Sequence, residues 1–169
     1  MALNTRVEEA MNDQLQKELQ SAYVYLGMSA YCESQSLPGF AGWLRAQFDE
    51  EQQHAFRFYT FIIDREGAVD LRQLDAPPTR YKSVVDVFET ALAHEKAVTV
   101  AINELYDLVA TEKDFASQAW LDWFATEQVE EEKTVGQIVD DLHRIGDDGN
   151  GLFILDRSMG ERSSTGEAS

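Results

Sequence analysis

Glu51 and His54 stand three residues apart in the stretch FDEEQQHAFRF (48–58), among Phe48, Ala55 and Phe58. Three residues on a helix amount to about 60° of rotation, so this carboxylate and imidazole can reach one ion. The same kind of interruption recurs along the chain. Read in alternating steps of three and four, four stretches show an inward apolar seam. They run Met11, Leu15, Glu18, Ala22, Tyr25; Leu44, Gln47, Glu51, His54, Phe58; Phe88, Ala91, Glu95, Val98, Ile102; and Phe124, Gln128, Glu131, Val135, Ile138. Each seam breaks near the middle of its helix. Antiparallel neighbours of similar length then bring Glu18, Glu51, His54, Glu95, Gln128 and Glu131 to one level.

Four carboxylates and one imidazole, with no Lys or Arg at that level, cannot form a salt-bridge network. An unpaired charge buried there costs several kcal/mol, so the group protonates or a cation sits among the carboxylates. Hard oxygen donors with one nitrogen suit iron or manganese, with zinc as a further occupant. The spacing of Glu51 and His54 repeats as Gln128 and Glu131, and four carboxylates suffice to ligate and bridge two metal ions. Dinuclear carboxylate bundles place one Glu on each of two helices and an E-x-x-H on each of the others. The second arm here departs from that pattern.

Glu50, Glu127 and Glu130 lie one residue from the seams and face an adjacent side. They read either as a solvated acidic face or as a weaker metal site leading away from the first. Tyr25 is either core with a satisfied hydroxyl, or a hydrogen-bond partner and one-electron donor beside the metals. His94 and His143 fall off the level and read as structural or surface residues, and Trp123 as core.

The elements that must position these groups are predicted to be helices. Asn4 or Thr5 with Glu8 resembles a start, and the first helix runs to about Ser34. Pro38 suits a first turn, and the second helix runs to Glu66 with Gly67 as its terminator. Ser83 with Asp86 starts a third helix, running to about Thr111, and a fourth runs from Phe115 to about Ile145. LFILDRSM (152–159) predicts a short fifth helix, and 161–169 a polar, disordered tail after a single domain over 1–160. Two connections are short, so they join antiparallel neighbours. The middle one, AVDLRQLDAPPTRYK (68–82), is long enough to cross the bundle. The fold class is all-α: a four-helix bundle with a long crossover between helices two and three. Trp43, Phe56 and Tyr59, off the seam, predict a second buried face and hence an oligomer.

The chain has 169 residues, one domain's worth, and 44% hydrophobic content, ample for a core. With 31 acidic against 14 basic residues its formal charge is −17, which argues against nucleic acid or an anionic membrane as partner. Acidity also serves solubility. Cys32, the single cysteine, excludes an intramolecular disulfide and any thiolate metal cluster. No apolar signal region or transmembrane run is visible, so a cytoplasmic location is the default.

The stretches MNDQLQKELQSAYVYLGMSAYC (11–32), FDEEQQHAFRF, AHEKAVTVAINEL (93–105), DWFATEQVEEEK (122–133) and NGLFILD (150–156) resemble, in order and spacing, the prokaryotic non-haem ferritins over almost the whole chain. The resemblance implies a homo-oligomeric shell of 24 subunits. Within it, Fe2+ is oxidised by O2 or H2O2 at a di-iron site in each bundle, and Fe3+ mineral is stored in the cavity. It implies one iron position at Glu18, Glu51 and His54 and another at Glu51, Glu95 and Glu131, with Glu51 bridging and Gln128 close by. Glu50, Glu127 and Glu130, with Glu131, match a third iron site, and Tyr25 the tyrosine beside the di-iron pair. Haem is not expected, because Gln52 stands where haem-binding relatives carry methionine. Gln118 and Leu121 replace the acidic pair that lines the iron channel of animal ferritins, so that entry route is not implied. Two other functions fit the same residues: a di-iron enzyme that consumes peroxide with incidental storage, and a structural cage subunit with a degenerate site.

Overall fold

The computed structural model describes residues 2–164, with side chains through Glu161. Five helices, and no strand among the described residues, follow the capping chemistry. Helix α1 spans Thr5–Ser34, where Asn4 Oδ1 accepts from Val7 N at 2.9 Å. Helix α2 spans Pro38–Asp64 and opens on the proline, whose missing N–H costs nothing in a first turn. Helix α3 spans Val84–Thr111 under a Ser83 cap, and α4 spans Phe115–Ile145 under an Asp114 cap. Helix α5 spans Gly149–Ser164.

Helices α1, α2 and α3 end in the same way. Ser36, Glu66 and Lys113 take left-handed φ values of 59°, 58° and 57°. The next residue's N–H then turns back onto the helix: Leu37 onto the Cys32 carbonyl, Gly67 onto Ile62 and Asp114 onto Val109, at 2.9–3.0 Å. This satisfies carbonyls the helix leaves open. The second helix therefore stops at Asp64, short of the expected Glu66. Glu66, not Gly67, occupies the left-handed position.

Side-chain pairs fix the directions. Ser21 meets His94 and Asn4 meets Glu112, so α1 and α3 are antiparallel. Thr99 meets Glu132 and Tyr106 meets Asp122, so α3 and α4 are antiparallel. The Leu3 N–H reaches the Arg65 carbonyl, so α1 and α2 are too. Helices α2 and α3 consequently run parallel, and only a crossover as long as the bundle can join them. That segment lies along α1, where three amide side chains one turn apart hold it. Asn12 donates to the Ala68 carbonyl at 3.0 Å and accepts from Asp70 N at 2.7 Å. Gln16 bridges to Gln73 and Arg72 in the same way, and Gln20 to Asp75.

The fifth helix is twice the expected length. Asp148 accepts from Asn150 N at 3.0 Å and caps it, so the helix begins at Gly149, three residues before the expected Leu152. It continues to Ser164, so residues 161–164 of the expected tail are helical, and 165–169 lie outside the described residues. Helix α5 docks on the start of α2: buried Asp156 accepts from Phe40 N at 3.0 Å. A Cβ at Gly39 would come 1.6 Å from the Asp156 carbonyl oxygen, so only glycine fits there.

The core is divided in two. One apolar cluster holds Tyr25, Met28, Leu44, Phe88, Ala91 and Val135; the other holds Leu15, Phe58, Val98, Ile102, Leu121 and Phe124. On each of α1 to α4 the polar interruption falls between them. Trp43 belongs to the first cluster and packs on Phe88, so it does not join the second face expected with Phe56 and Tyr59. Those two rings are exposed and touch one another at 6.2 Å.

Candidate metal centre

Between the two apolar clusters lies a closed polar layer. Glu18, Glu51, His54, Glu95, Gln128 and Glu131 are all buried, none more than 7% exposed. Each arrives on a different turn of a helix whose flanking residues are anchored in the apolar clusters, so the seam spacing alone carries them inward. His54 Nδ1 stands 3.6 Å from Glu51 Oε2 and 4.0 Å from Glu18 Oε2. One donor atom from each of these three lies within 4.8 Å of the others, a spacing that can close on one cation.

Tyr25, Glu95 and Gln128 are tied to one another. Tyr25 donates its hydroxyl to Glu95 Oε1. Gln128 Nε2 donates to Glu95 Oε2 at 3.2 Å and to the Glu95 carbonyl at 3.3 Å. Glu95 is thus held from α1 and from α4, while Glu51, Glu95 and Glu131 do not form a similarly close triad. Gln14, a residue the seam pattern does not mark, donates to Glu18 Oε1 at 2.7 Å. Its signal in the sequence is only that it precedes Glu18 by one turn.

The electrostatics are those of crowded carboxyls. Burial, then the Glu51 charge, pushes the Glu18 carboxyl well above its usual range. Burial, then Glu95, does the same to Glu51, and Glu131 is pushed up to about 9 by burial and then Glu95. Tyr25 is raised by burial and then by the Glu95 charge beside it. Glu51 Oε2 is fully buried and has no hydrogen-bond partner. An orphaned carboxylate oxygen costs of order 1–3 kcal/mol or more. It belongs to the close group with Glu18 and His54, and four carboxyls with one imidazole make a hard donor set that fits Fe2+.

A second group opens from the first. Glu50, His54 and Glu127 also bring donor atoms within 4.8 Å of one another, so His54 belongs to both groups. Gln47 Nε2 donates to Glu50 Oε2 at 2.7 Å. Glu130 stays outside: its side chain is solvated and pairs with Lys133 at 3.9 Å. Arg57 lies 3.6 Å over the Trp123 ring, which meets the His54 ring edge-on. Of the other histidines, His94 bonds Ser21 Oγ at 2.6 Å, and burial holds its pKa below the usual value. His143 pairs with Glu89 at the surface.

Comparison with known proteins agrees in fold and length. Residues 8–145 match the ferritin-like domain family. A probable bacterial non-heme ferritin-like protein of Haemophilus influenzae is 38% identical over 96% of this chain and 98% of its own. A bacterial non-heme ferritin of Staphylococcus haemolyticus is 39% identical over 92% of this chain and 93% of its own. An open pore ferritin of Archaeoglobus fulgidus superposes with a TM-score of 0.93 at 39% identity, covering 94% of this chain and 96% of that one. Matched over most of its length by the family and by these relatives, the chain belongs to the ferritin family.

Proposed function

We propose that the protein stores iron and is a ferroxidase, taking Fe2+ and O2 or H2O2 as substrates. The observation that carries this reading is the orphaned Glu51 Oε2 inside a layer of four buried carboxyls. Glu18, Glu51 and His54 hold one Fe2+, and Glu51, Glu95 and Glu131 the other, with Glu51 common to both. Gln128 and Tyr25 orient Glu95 through its two oxygens. Each iron gives up one electron, and the pair of electrons reduces O2 to H2O2 or H2O2 to water. The chain's part is to supply anionic charge that favours Fe3+ over Fe2+ and to exclude water from the layer. Raised carboxyl pKa values mean that the layer holds protons before metal enters and releases them as the cations bind.

Glu50 and Glu127, with Glu130 at the solvent edge, receive a third iron on its way to a storage cavity. That cavity belongs to a 24-subunit homo-oligomer in the cytoplasm. Apolar side chains left open on the subunit support an assembly: Phe56, Phe153 and Ile154 are each more than 60% exposed. No described helix is long and apolar enough to cross a membrane. The test is Fe2+ addition to protein of measured oligomer size, with O2 or with H2O2, followed by absorbance. The reading requires rapid oxidation of about two Fe2+ per subunit, followed by soluble mineral inside a large assembly. A monomer, or oxidation no faster than in buffer, contradicts it. A strong preference for H2O2 moves the emphasis from storage to peroxide consumption.

A further inference from the structure

Arg57 lies flat on the indole of Trp123, its guanidinium carbon 3.6 Å from the ring centroid. The same indole meets the His54 ring at 5.4 Å, so a fixed positive charge stands within roughly a Debye length, 8–10 Å, of that histidine. A free arginine on a helix surface spreads its charge over many rotamers. Stacking on tryptophan holds this one in place.

What it faces is the Glu50, His54 and Glu127 group, whose buried member, His54, also serves the dinuclear group. Lys133, a nearby cation, pairs with Glu130 instead. Arg57, on the same helix as Glu50 and His54 and stacked on Trp123 of α4, is thus a fixed cation beside this group.

We propose that Arg57 is a charge gate: its stacked guanidinium weakens the hold of the Glu50, His54 and Glu127 group on metal cations, so that a cation leaving the dinuclear site passes on instead of being retained. The inference rests on the reading of these acidic residues as cation ligands. A group of two carboxylates and one imidazole with no opposing charge would trap a multivalent ion next to the site that must reload. Arg57 offsets part of that attraction without occupying a ligand position.

The test is calorimetric titration of the metal-free assembled protein with Zn2+, in the wild type and in Arg57→Gln, Arg57→Lys and Glu127→Gln. Arg57 is exposed, and Gln and Lys are good helix formers, so the variants fold. The tight class of about two Zn2+ per subunit is expected in all four. A weaker class should vanish in Glu127→Gln, tighten about three- to tenfold in Arg57→Gln, and stay within about twofold of wild type in Arg57→Lys, which keeps the charge. An unchanged weaker class in Arg57→Gln overturns the gate. So does equal tightening in Arg57→Lys, which would make the effect one of bulk and not of charge. A weaker class that survives Glu127→Gln removes the group on which the gate acts. Absence of the tight class from the wild type instead overturns the dinuclear reading itself.

Discussion

Tyr25 on α1 donates its hydroxyl to Glu95 on α3, across the middle of the bundle and inside the layer that divides the core. The bond joins a phenol and a carboxylate that are both at most 1% exposed. Tyr25→Phe leaves Glu95 Oε1 without this donor in a dry site. The metal-free protein should lose about 1–3 kcal/mol of stability, read as a lower thermal midpoint. Saturation with Zn2+ should recover much of the loss, because a cation can take up the freed oxygen. Equal losses with and without Zn2+ would make Tyr25 a packing residue only.

The raised carboxyls set a pH dependence of unusual sign. For Glu131 the unfolded value is 4.5 and the folded value about 9, so between them the folded state binds the extra proton. The stability this proton contributes is fully present below about pH 4.5 and is lost as pH rises toward 9. Glu18 and Glu51 are shifted in the same direction. Metal-free protein should therefore melt at a lower temperature at pH 8.5 than at pH 6, with a slope of order 1 kcal/mol per pH unit for each such group. Zn2+ should reduce this slope and release protons at pH 7, measurable by titration in buffers of different ionisation enthalpy. A metal-free melt that rises from pH 6 to pH 8.5 would contradict the electrostatics of the layer.

The layer was legible because burial makes carboxylates conspicuous: Glu18, Glu51, Glu95 and Glu131 interrupt apolar seams at one level. Gln14 was not, since a glutamine one turn before a glutamate looks like any solvated helix pair. The same holds for Asn12, Gln16 and Gln20, whose spacing reads as an exposed polar stripe until the crossover segment lies on it. Glu130, three residues from Glu127, shares its side of the helix, and its pairing with Lys133 at 3.9 Å on the solvent side is not legible from the spacing alone. The start of α5 is hard to read in the sequence, because Gly149 and Gly151 are poor helix formers and Asp148 is its single capping signal.

The crossover ladder gives a further test. Asn12 is 3% exposed and bonds both the Ala68 carbonyl and the Asp70 N–H. Asn12→Ala removes both bonds to this segment, at a cost of about 1 kcal/mol each. Proteolysis within 68–82 should accelerate well before global unfolding. Cleavage at the wild-type rate would mean that the ladder does not hold the segment.

The left-handed helix ends predict stabilisation. Ser36 has φ 59° with a Cβ that clashes in that region, and its side chain is exposed. Ser36→Gly should raise stability by about 0.5–1 kcal/mol, read by thermal melt, and Gly146→Ala, at φ 58°, should lower it.

The account turns on Glu51 as the ligand common to two irons. Glu51→Gln keeps volume and fold, and removes one buried negative charge from among like charges. The decisive measurement is stopped-flow absorbance after mixing aerobic protein with two Fe2+ per subunit, for the wild type and for Glu51→Gln of confirmed oligomer size. The expected result is loss of the fast phase by about a hundredfold or more in the variant, with the assembly intact. Oxidation by Glu51→Gln at the wild-type rate would contradict the dinuclear site.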